Sequence, residues 1–440
     1  MKGLKLSLVI MAAAILTIGL GGMAYAYHDG GVAYCEGCHT MHNSLGSQRM
    51  YRSNSQTSGP QGSVGTTNAY LLQGTDQSST CLMCHGPGSG SYHVYSNVGA
   101  GVAPTNYTPG GDFNWVTKSY NWTEGTRAGT SPSQTHGHNI VALDFGLVAD
   151  TRFPSGAPGA GSSAAYPTSS LGCHSCHDPH GRYRIVDASG TVAVPTIGSS
   201  VLPIDGSGST GAMPGTDYAV GVYRLLGGKG YYPKSVGATY AFSNAVDPPV
   251  AVSPSSYNRK ETTTDTRVAY GSGMSLWCGN CHGGFHNDNY PTTLRHPSGM
   301  KLTSVEIANY NAYKKSGDLT GIYDTAYTSL VPFEEGSTDR ALLATHAVSN
   351  GSYTKGADTN SVVMCLSCHR AHASSWDSGL RWNVRSTFMT VGGAYADPGT
   401  DPGVAQGRTT VEQQAAYYDR PATVFGTFQR PLCNKCHAKD

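Results

Sequence analysis

The chain has 440 residues and a formal net charge of +1, which leaves no basic footprint for nucleic acid. Gly (57) and Pro (23) approach a fifth of the chain, charged residues are 13% and hydrophobic residues 38%, which excludes an ordinary helix- or sheet-rich core. Full disorder is excluded as well, because 27 Tyr and 5 Trp are too many for a solvated polar tract.

Lys2 and Lys5 open the chain, Leu6 to Leu20 is apolar, and Ala24-Tyr25-Ala26 fits a small-residue cleavage site. Residues 1–26 therefore read as a signal peptide, too short in its apolar part for a comfortable membrane span. No later segment is long and apolar enough to cross a bilayer, so the mature chain is expected to be exported. Gly/Ser/Pro-rich stretches at 86–112, 154–172 and 187–216 read as coil. Val192 to Val194 and Ala219 to Tyr223 read as short strands. Ser304 to Lys315 reads as a helix stopped by Gly317, and Thr338 to Val348 as a helix carrying His346. Thr409 and Glu412 form a capping box for a helix through Tyr418. No linker or charge run divides 27–440, which reads as one domain, coil-dominated, with a few short helices and minimal strand.

Something other than regular structure must fill its centre, and the cysteines say what. They fall as Cys35/Cys38, Cys81/Cys84, Cys173/Cys176, Cys278/Cys281, Cys365/Cys368 and Cys433/Cys436. Every pair is C-x-x-C and is followed at once by histidine: His39, His85, His177, His282, His369 and His437. C-x-x-C-H is the attachment signal of c-type haem. Two thiols at this spacing reach the two vinyl groups of one porphyrin, and the adjacent histidine stands under the ring to ligate iron. A zinc ribbon or a disulfide framework would not require a histidine after every pair. Six covalently attached haems are expected, and the fold should be organised around a chain of them.

Each iron then needs a second ligand. Eleven histidines remain: His28, His42, His93, His136, His138, His174, His180, His286, His296, His346 and His372. This surplus favours bis-histidine ligation throughout. Three motifs extend to C-x-x-C-H-x-x-H, adding His42, His180 and His372. Axial histidines on one haem have alpha carbons roughly 12 Å apart, if iron–nitrogen bonds are near ~2.0 Å. Three residues span at most about 11 Å. Each of these histidines is therefore expected to ligate a different haem from its own motif. His138, His296 and His346 complete the distal set, with His93, His286 and His28 as alternatives. His136 and His174 read as residues that support a ligand or sit at the surface, and His174 lies inside a C-x-x-C loop.

Longer segments carry a family resemblance. AYCEGCHTMHNSLG, TPGGDFNWV, GHNIVA, CHSCHDPHG, RVAYGSGMSLWCGNCH, YPTTLRHP, YKKSGDLTG, PFEEGSTD, CLSCHRAHAS and LCNKCHAKD closely resemble the filament-forming extracellular hexahaem c-type cytochromes of metal-reducing bacteria. The likeness covers nearly the whole mature chain, and loops 54–70 and 154–166 look different. The resemblance implies six bis-histidine haems, a coil-rich fold and a head-to-tail filament of identical subunits. It also implies that His42 ligates the Cys365/Cys368 haem of a neighbouring subunit. Long-range extracellular electron transfer is thus expected, with other redox cytochromes and extracellular acceptors as partners. A monomeric periplasmic carrier or store is one alternative and a multihaem redox enzyme another. The ligand surplus and the lack of a C-x-x-C-K variant favour electron transfer over an enzyme.

Overall fold

The computed structural model describes residues 35–39, 44–45, 48–49, 71–89, 92–160, 165–195, 202–243, 247–254, 266–285 and 296–437. The signal peptide, His28, His42, His286 and all of loop 54–70 lie outside these residues. Helices are α1 (Cys35–Cys38), α2 (Gln77–His85), α3 (Met274–His282), α4 (Ser304–Ala312), α5 (Arg340–His346), α6 (Cys365–Cys368), α7 (Pro402–Ala405), α8 (Thr410–Ala416) and α9 (Asn434–His437). Among the described residues none exceeds nine residues, so no helix can cross a membrane.

Local chemistry explains the helix ends. Thr303 and Glu306 close a capping box on α4, and Thr409 and Glu412 close the one expected on α8. Asp339 caps α5 through the Leu342 N–H at 3.0 Å, and Asp76 caps α2 through the Ser79 N–H at 2.8 Å. The expected helices thus form, each shorter than its sequence pattern: α4 stops at Ala312, α5 runs only from Arg340 to His346, and α8 stops at Ala416.

Strands are β1 (Ser44–Leu45), β2 (Gln48–Arg49), β3 (Tyr120–Glu124), β4 (Arg127–Ser131), β5 (Arg184–Ile185), β6 (Val192–Ala193), β7 (Ile204–Ser207), β8 (Ala219–Gly221), β9 (Val250–Val252) and β10 (Ala269–Ser272). The two expected strands appear as β6 and β8, in one mixed sheet ordered β6-β5-β8-β7. The β3–β4 hairpin was not expected. Its turn holds Gly125 at φ 59°, and Trp122 lies across from Gly129, where a Cβ would meet the indole. An aromatic covering a cross-strand glycine restores the packing that the glycine lacks.

A coil-rich chain leaves many carbonyls without ladder partners, and buried polar groups must be satisfied. Buried arginines supply the donors, five N–H bonds each. Arg381 Nε reaches the Leu366 carbonyl at 2.6 Å and Nη1 the Ser329 carbonyl at 2.9 Å. Arg408 Nε donates to the Ser375 carbonyl at 2.9 Å while its guanidinium stacks near Trp376 and Tyr120. Tyrosines do the same work with one donor: Tyr310 Oη bonds the Val331 carbonyl at 2.8 Å and Tyr395 Oη the Arg420 carbonyl at 2.6 Å. One apolar cluster runs from Leu82 to Leu432 and includes Phe113, Trp115, Trp376 and Trp382.

Candidate functional site

The second cysteine and histidine of the first, third and fifth motifs are held by one repeated clip. A returning segment pairs with the motif histidine as an antiparallel bridge: His39 with Leu72, His177 with Leu226, His369 with Leu380. The next residue's N–H bonds the motif's second cysteine: Gln73 to the Cys38 carbonyl at 2.8 Å, Gly227 to Cys176 at 2.9 Å, Arg381 to Cys368 at 2.8 Å. The residue before each leucine is left-handed, at Leu71 (φ 54°), Leu225 (φ 55°) and Gly379 (φ 64°). At the last two sites the preceding residue is left-handed as well, Arg224 at 49° and Ser378 at 60°. This turn aims a carbonyl at the motif imidazole. His177 Nδ1 donates to the Arg224 carbonyl at 2.6 Å, and His369 Nδ1 to that of Ser378 at 2.8 Å. Non-glycine residues resist this conformation by roughly 1–2 kcal/mol each, so the aim is bought with strain.

The second and fourth motifs sit on α2 and α3, and each helix reaches the next motif through a serine three residues before its first cysteine. Ser78 Oγ accepts the Cys173 N–H at 3.1 Å, and Ser275 Oγ accepts the Cys365 N–H at 3.2 Å. A second serine closes each joint from the other side: Ser175 Oγ accepts the Gly172 N–H at 3.0 Å, and Ser367 Oγ that of Met364 at 3.1 Å. The thiols meet at these joints. The Cys81 thiol is raised by its hydrogen bond to Cys173, and that of Cys278 by its bond to Cys365. Cys38 lies near Cys81, Cys176 near Cys281, and Cys368 near Cys433 and Cys436. The six motifs thus follow one another in chain order, in contact at Cys81–Cys173 and Cys278–Cys365 and near one another at the other steps. Burial pushes the Cys176, Cys368 and Cys436 thiols up to about 12 and that of Cys281 up to about 11.

Cys84 departs from this pattern. Cys84 is exposed, whereas Cys81, the first cysteine of the same motif, is half-buried. The cause is the register of α2, which turns Ser78, Ser79, Thr80 and Leu82 inward and leaves Met83 and Cys84 on the outer face of its last turn. Cys433, the first cysteine of the last motif, is exposed as well. Among the cysteines whose burial is described, Cys84 and Cys433 lie at the surface and the others are half-buried.

Histidines meet across the chain in four pairs. Ring centroids are 6.2 Å apart for His39 and His180, 6.4 Å for His177 and His372, 5.9 Å for His138 and His282, and 6.3 Å for His296 and His437. Two imidazoles bound through Nε2 at ~2.0 Å on opposite sides of one iron have centroids about 6.3 Å apart. The donor set and its spacing therefore fit haem iron. Hydrogen bonds engage Nδ1 in four of these rings, His177 through the Arg224 carbonyl among them, which leaves their Nε2 for a metal. His138 Nδ1 donates to the Ala371 carbonyl at 2.6 Å, His282 Nδ1 to Pro158 at 2.7 Å, and His372 Nδ1 to Gly111 at 3.2 Å. Burial lowers His282 to about 4 and His372 to about 3, and lowers His177, His296 and His369 as well, so the rings stay in the neutral form that ligates. The His138 N–H bonds the His372 carbonyl at 2.9 Å, so these two distal candidates emerge side by side.

Other histidines are placed differently. His136 is fully buried in the polar core: Nδ1 bonds the Trp115 carbonyl at 2.9 Å and Nε2 faces Ser131 at 2.8 Å, leaving no nitrogen for iron. His174 Nε2 faces Ser235 at 3.3 Å. His93 lies beside His85 rather than opposite it: the Val94 N–H bonds the His85 carbonyl at 2.9 Å, and His93 Nδ1 bonds the Gly86 carbonyl at 2.7 Å. His346 Nδ1 bonds the Glu335 carboxylate, and its ring stacks on Tyr353 at 3.9 Å. His369 stacks on no other described histidine ring. The return segments and the two serine joints were not identified from sequence, although S-x-x-C before Cys81 and Cys278 and C-x-S-C at Cys173 and Cys365 are visible in it.

Known proteins are similar to this chain in sequence and fold. No family model matches the chain. The C-type cytochrome OmcS of Geobacter sulfurreducens is 50% identical over 455 aligned residues, covering 100% of both chains. The solved filament of outer membrane cytochrome S from the same organism superposes with a TM-score of 0.82 at 49% identity, over 94% of this chain and 100% of that one. A cryo-EM structure of OmcS nanowires gives the same score at 50% identity and the same coverage. On an identity of this level along its whole length, the chain belongs to the OmcS family of c-type cytochromes.

Proposed function

We propose that this protein is an extracellular electron-transfer cytochrome whose identical subunits polymerise into a filament, with six c-type haems in each forming one continuous path. Bound haem iron supplies the chemistry, accepting and releasing single electrons. The polypeptide holds the rings close, keeps the imidazoles neutral and joins one subunit to the next. Proximity of successive motifs supports a path that follows chain order, from the Cys35/Cys38 haem to the Cys433/Cys436 haem. Cys84 stays the second thioether cysteine of the second haem, because its C-x-x-C-H spacing is intact; its exposure places that bond on the outer side of α2. The cluster spanning Leu82 to Leu432 supports reading 27–440 as a single hexahaem domain.

One observation carries the joining of subunits. The second histidine of the fifth motif, His372, stands against His177 of the third, and His180 of the third stands against His39 of the first. Each reaches two motifs back along the chain. His42 has no motif two places back in its own chain, and His369 stacks on no described histidine ring. A rule that runs off the start of one chain and is unfulfilled near the end of another is satisfied by a neighbour: His42 ligates the Cys365/Cys368 haem of the next subunit. Such a contact uses different surfaces on the two partners, so it propagates as an open helix unless the rotation closes a ring. His138, His180, His296 and His372 serve as the in-chain distal ligands of the Cys278, Cys35, Cys433 and Cys173 haems. His346, with Nε2 left open by Glu335, is the remaining described candidate for the Cys81/Cys84 haem. His28 and His286 are the alternatives outside the described residues.

His42→Ala tests the junction. The variant should retain six haems, because every C-x-x-C-H motif survives. It should lose filaments in electron micrographs and show one five-coordinate or water-ligated iron. Normal filaments with six low-spin irons would show that His42 is not the bridge.

A further inference from the structure

Arg224 completes the clip at His177 with its backbone alone. Its carbonyl accepts His177 Nδ1–H at 2.6 Å, and its N–H donates to Ser209 Oγ at 2.7 Å. With φ fixed at 49°, the side chain leaves the turn in a set direction, over the Tyr223 ring at 5.5 Å from the centroid. Its Nη2 is buried and has no hydrogen-bond partner. Its charge acts on both His177 and His372, the pair whose centroids stand 6.4 Å apart.

A buried guanidinium N–H without an acceptor is costly, and the clip does not require it. The sister clip at His369 performs the same backbone role with Ser378, which has no charge. The cation at that site is Arg381, and it serves the carbonyls of Leu366, His369 and Ser329. No ion pair among the described residues includes Arg224. A guanidinium beside two imidazoles that flank one haem, with a donor left open, matches a carboxylate carried by that haem.

We infer that the Arg224 guanidinium binds a propionate of the haem attached to Cys173 and Cys176, and that it raises that haem's reduction potential. A fixed cation near the iron favours the form with one more electron. The inference rests on the haem assignment above, which haem content and low-spin spectra check separately.

Spectroelectrochemistry of the six-haem protein tests it with two variants. Arg224→Ser copies the sister clip and keeps the carbonyl that anchors His177. It should lower one of the six potentials by about 59 mV, a tenfold change in a one-electron equilibrium, as expected for a unit charge roughly 10 Å away at an effective dielectric constant of about 20. Arg224→Lys, which retains the charge, should restore most of that shift. Six unchanged potentials in a fully loaded Arg224→Ser protein would overturn the inference. Should that variant fail to load six haems, a cryo-EM map of the unmodified haem-loaded protein decides. Nη2 within about 3.2 Å of a propionate oxygen supports the inference, and Nη2 bound to a carbonyl or water rejects it.

Discussion

Asp112 shows how a single buried carboxyl organises a loop that has no ladder. It accepts the Ser96 N–H at 3.1 Å, the Asn106 N–H at 3.2 Å and the Asn114 N–H at 2.8 Å, and so ties three stretches of coil beneath the segment that carries His372's carbonyl partner, Gly111. Burial pushes its pKa up to about 6 in spite of these donors. The folded value lies above the ordinary carboxyl value, so the folded state binds the extra proton between about pH 4 and 6. This contribution to stability is present in full below that window and is lost as pH rises through it. Asp112→Asn removes the titration and replaces an acceptor with a donor facing N–H groups. We expect it to cost about 1–3 kcal/mol at neutral pH, and its denaturation midpoint should lack the pH 4–6 slope seen relative to the parent protein. Equal slopes in the two proteins would show that Asp112 does not titrate in that window.

At the scale of elements, the serine joints set how closely successive haems approach. Gly172 is needed there, because a Cβ would stand 2.5 Å from Ser78 Oγ. Ser78→Ala and Ser275→Ala should each retain six haems and lose about 1 kcal/mol, the worth of one hydrogen bond. Intramolecular electron redistribution after flash reduction should slow in both, because the backbones of Cys173 and Cys365 are no longer pinned to the preceding motif's helix. An unchanged rate in both would mean that the covalent thioethers alone fix the spacing. These joints also mark where reading the sequence stops. The C-x-x-C-H spacing is dictated by porphyrin chemistry, so all six motifs were legible from it; the Thr409/Glu412 capping box announced α8, and the residue patterns of 304–315 and 338–348 announced α4 and α5. The spacing is silent on burial, which is why Cys84 on the outer face of α2 could not be told from Cys81 beside it. The clips were not legible, because Leu72, Leu226 and Leu380 return at very different distances from His39, His177 and His369. Nothing local links a leucine after a left-handed turn to a histidine far upstream. His136 was read as a supporting or surface residue, and what the sequence did not show is its burial, with Ser131 and the Trp115 carbonyl using its nitrogens.

For the whole molecule, charge is the governing quantity. The sequence is nearly neutral, but six haems bring twelve propionates, and each electron added removes a positive charge from the interior. Propionates in low-dielectric surroundings resist ionisation, and more so beside a reduced iron. Reduction should therefore draw in protons or counter-ions. Midpoint potentials of the filament should fall as pH rises near neutrality and should depend on ionic strength. Potentials flat in both variables would mean that the propionates are fully solvated.

The two-back pairing of His372 with His177 and of His180 with His39 has a further consequence once it is continued between subunits. A polymer linked in this way has two unlike tips. One tip displays a spare imidazole, that of His42, and the other an iron at Cys365/Cys368 lacking its sixth ligand. The vacant coordination position becomes an end group, present once per polymer whatever its length. Small iron ligands such as carbon monoxide would count chains rather than haems, and free imidazole would act as a chain stopper by capping the only tip that can accept another subunit's histidine.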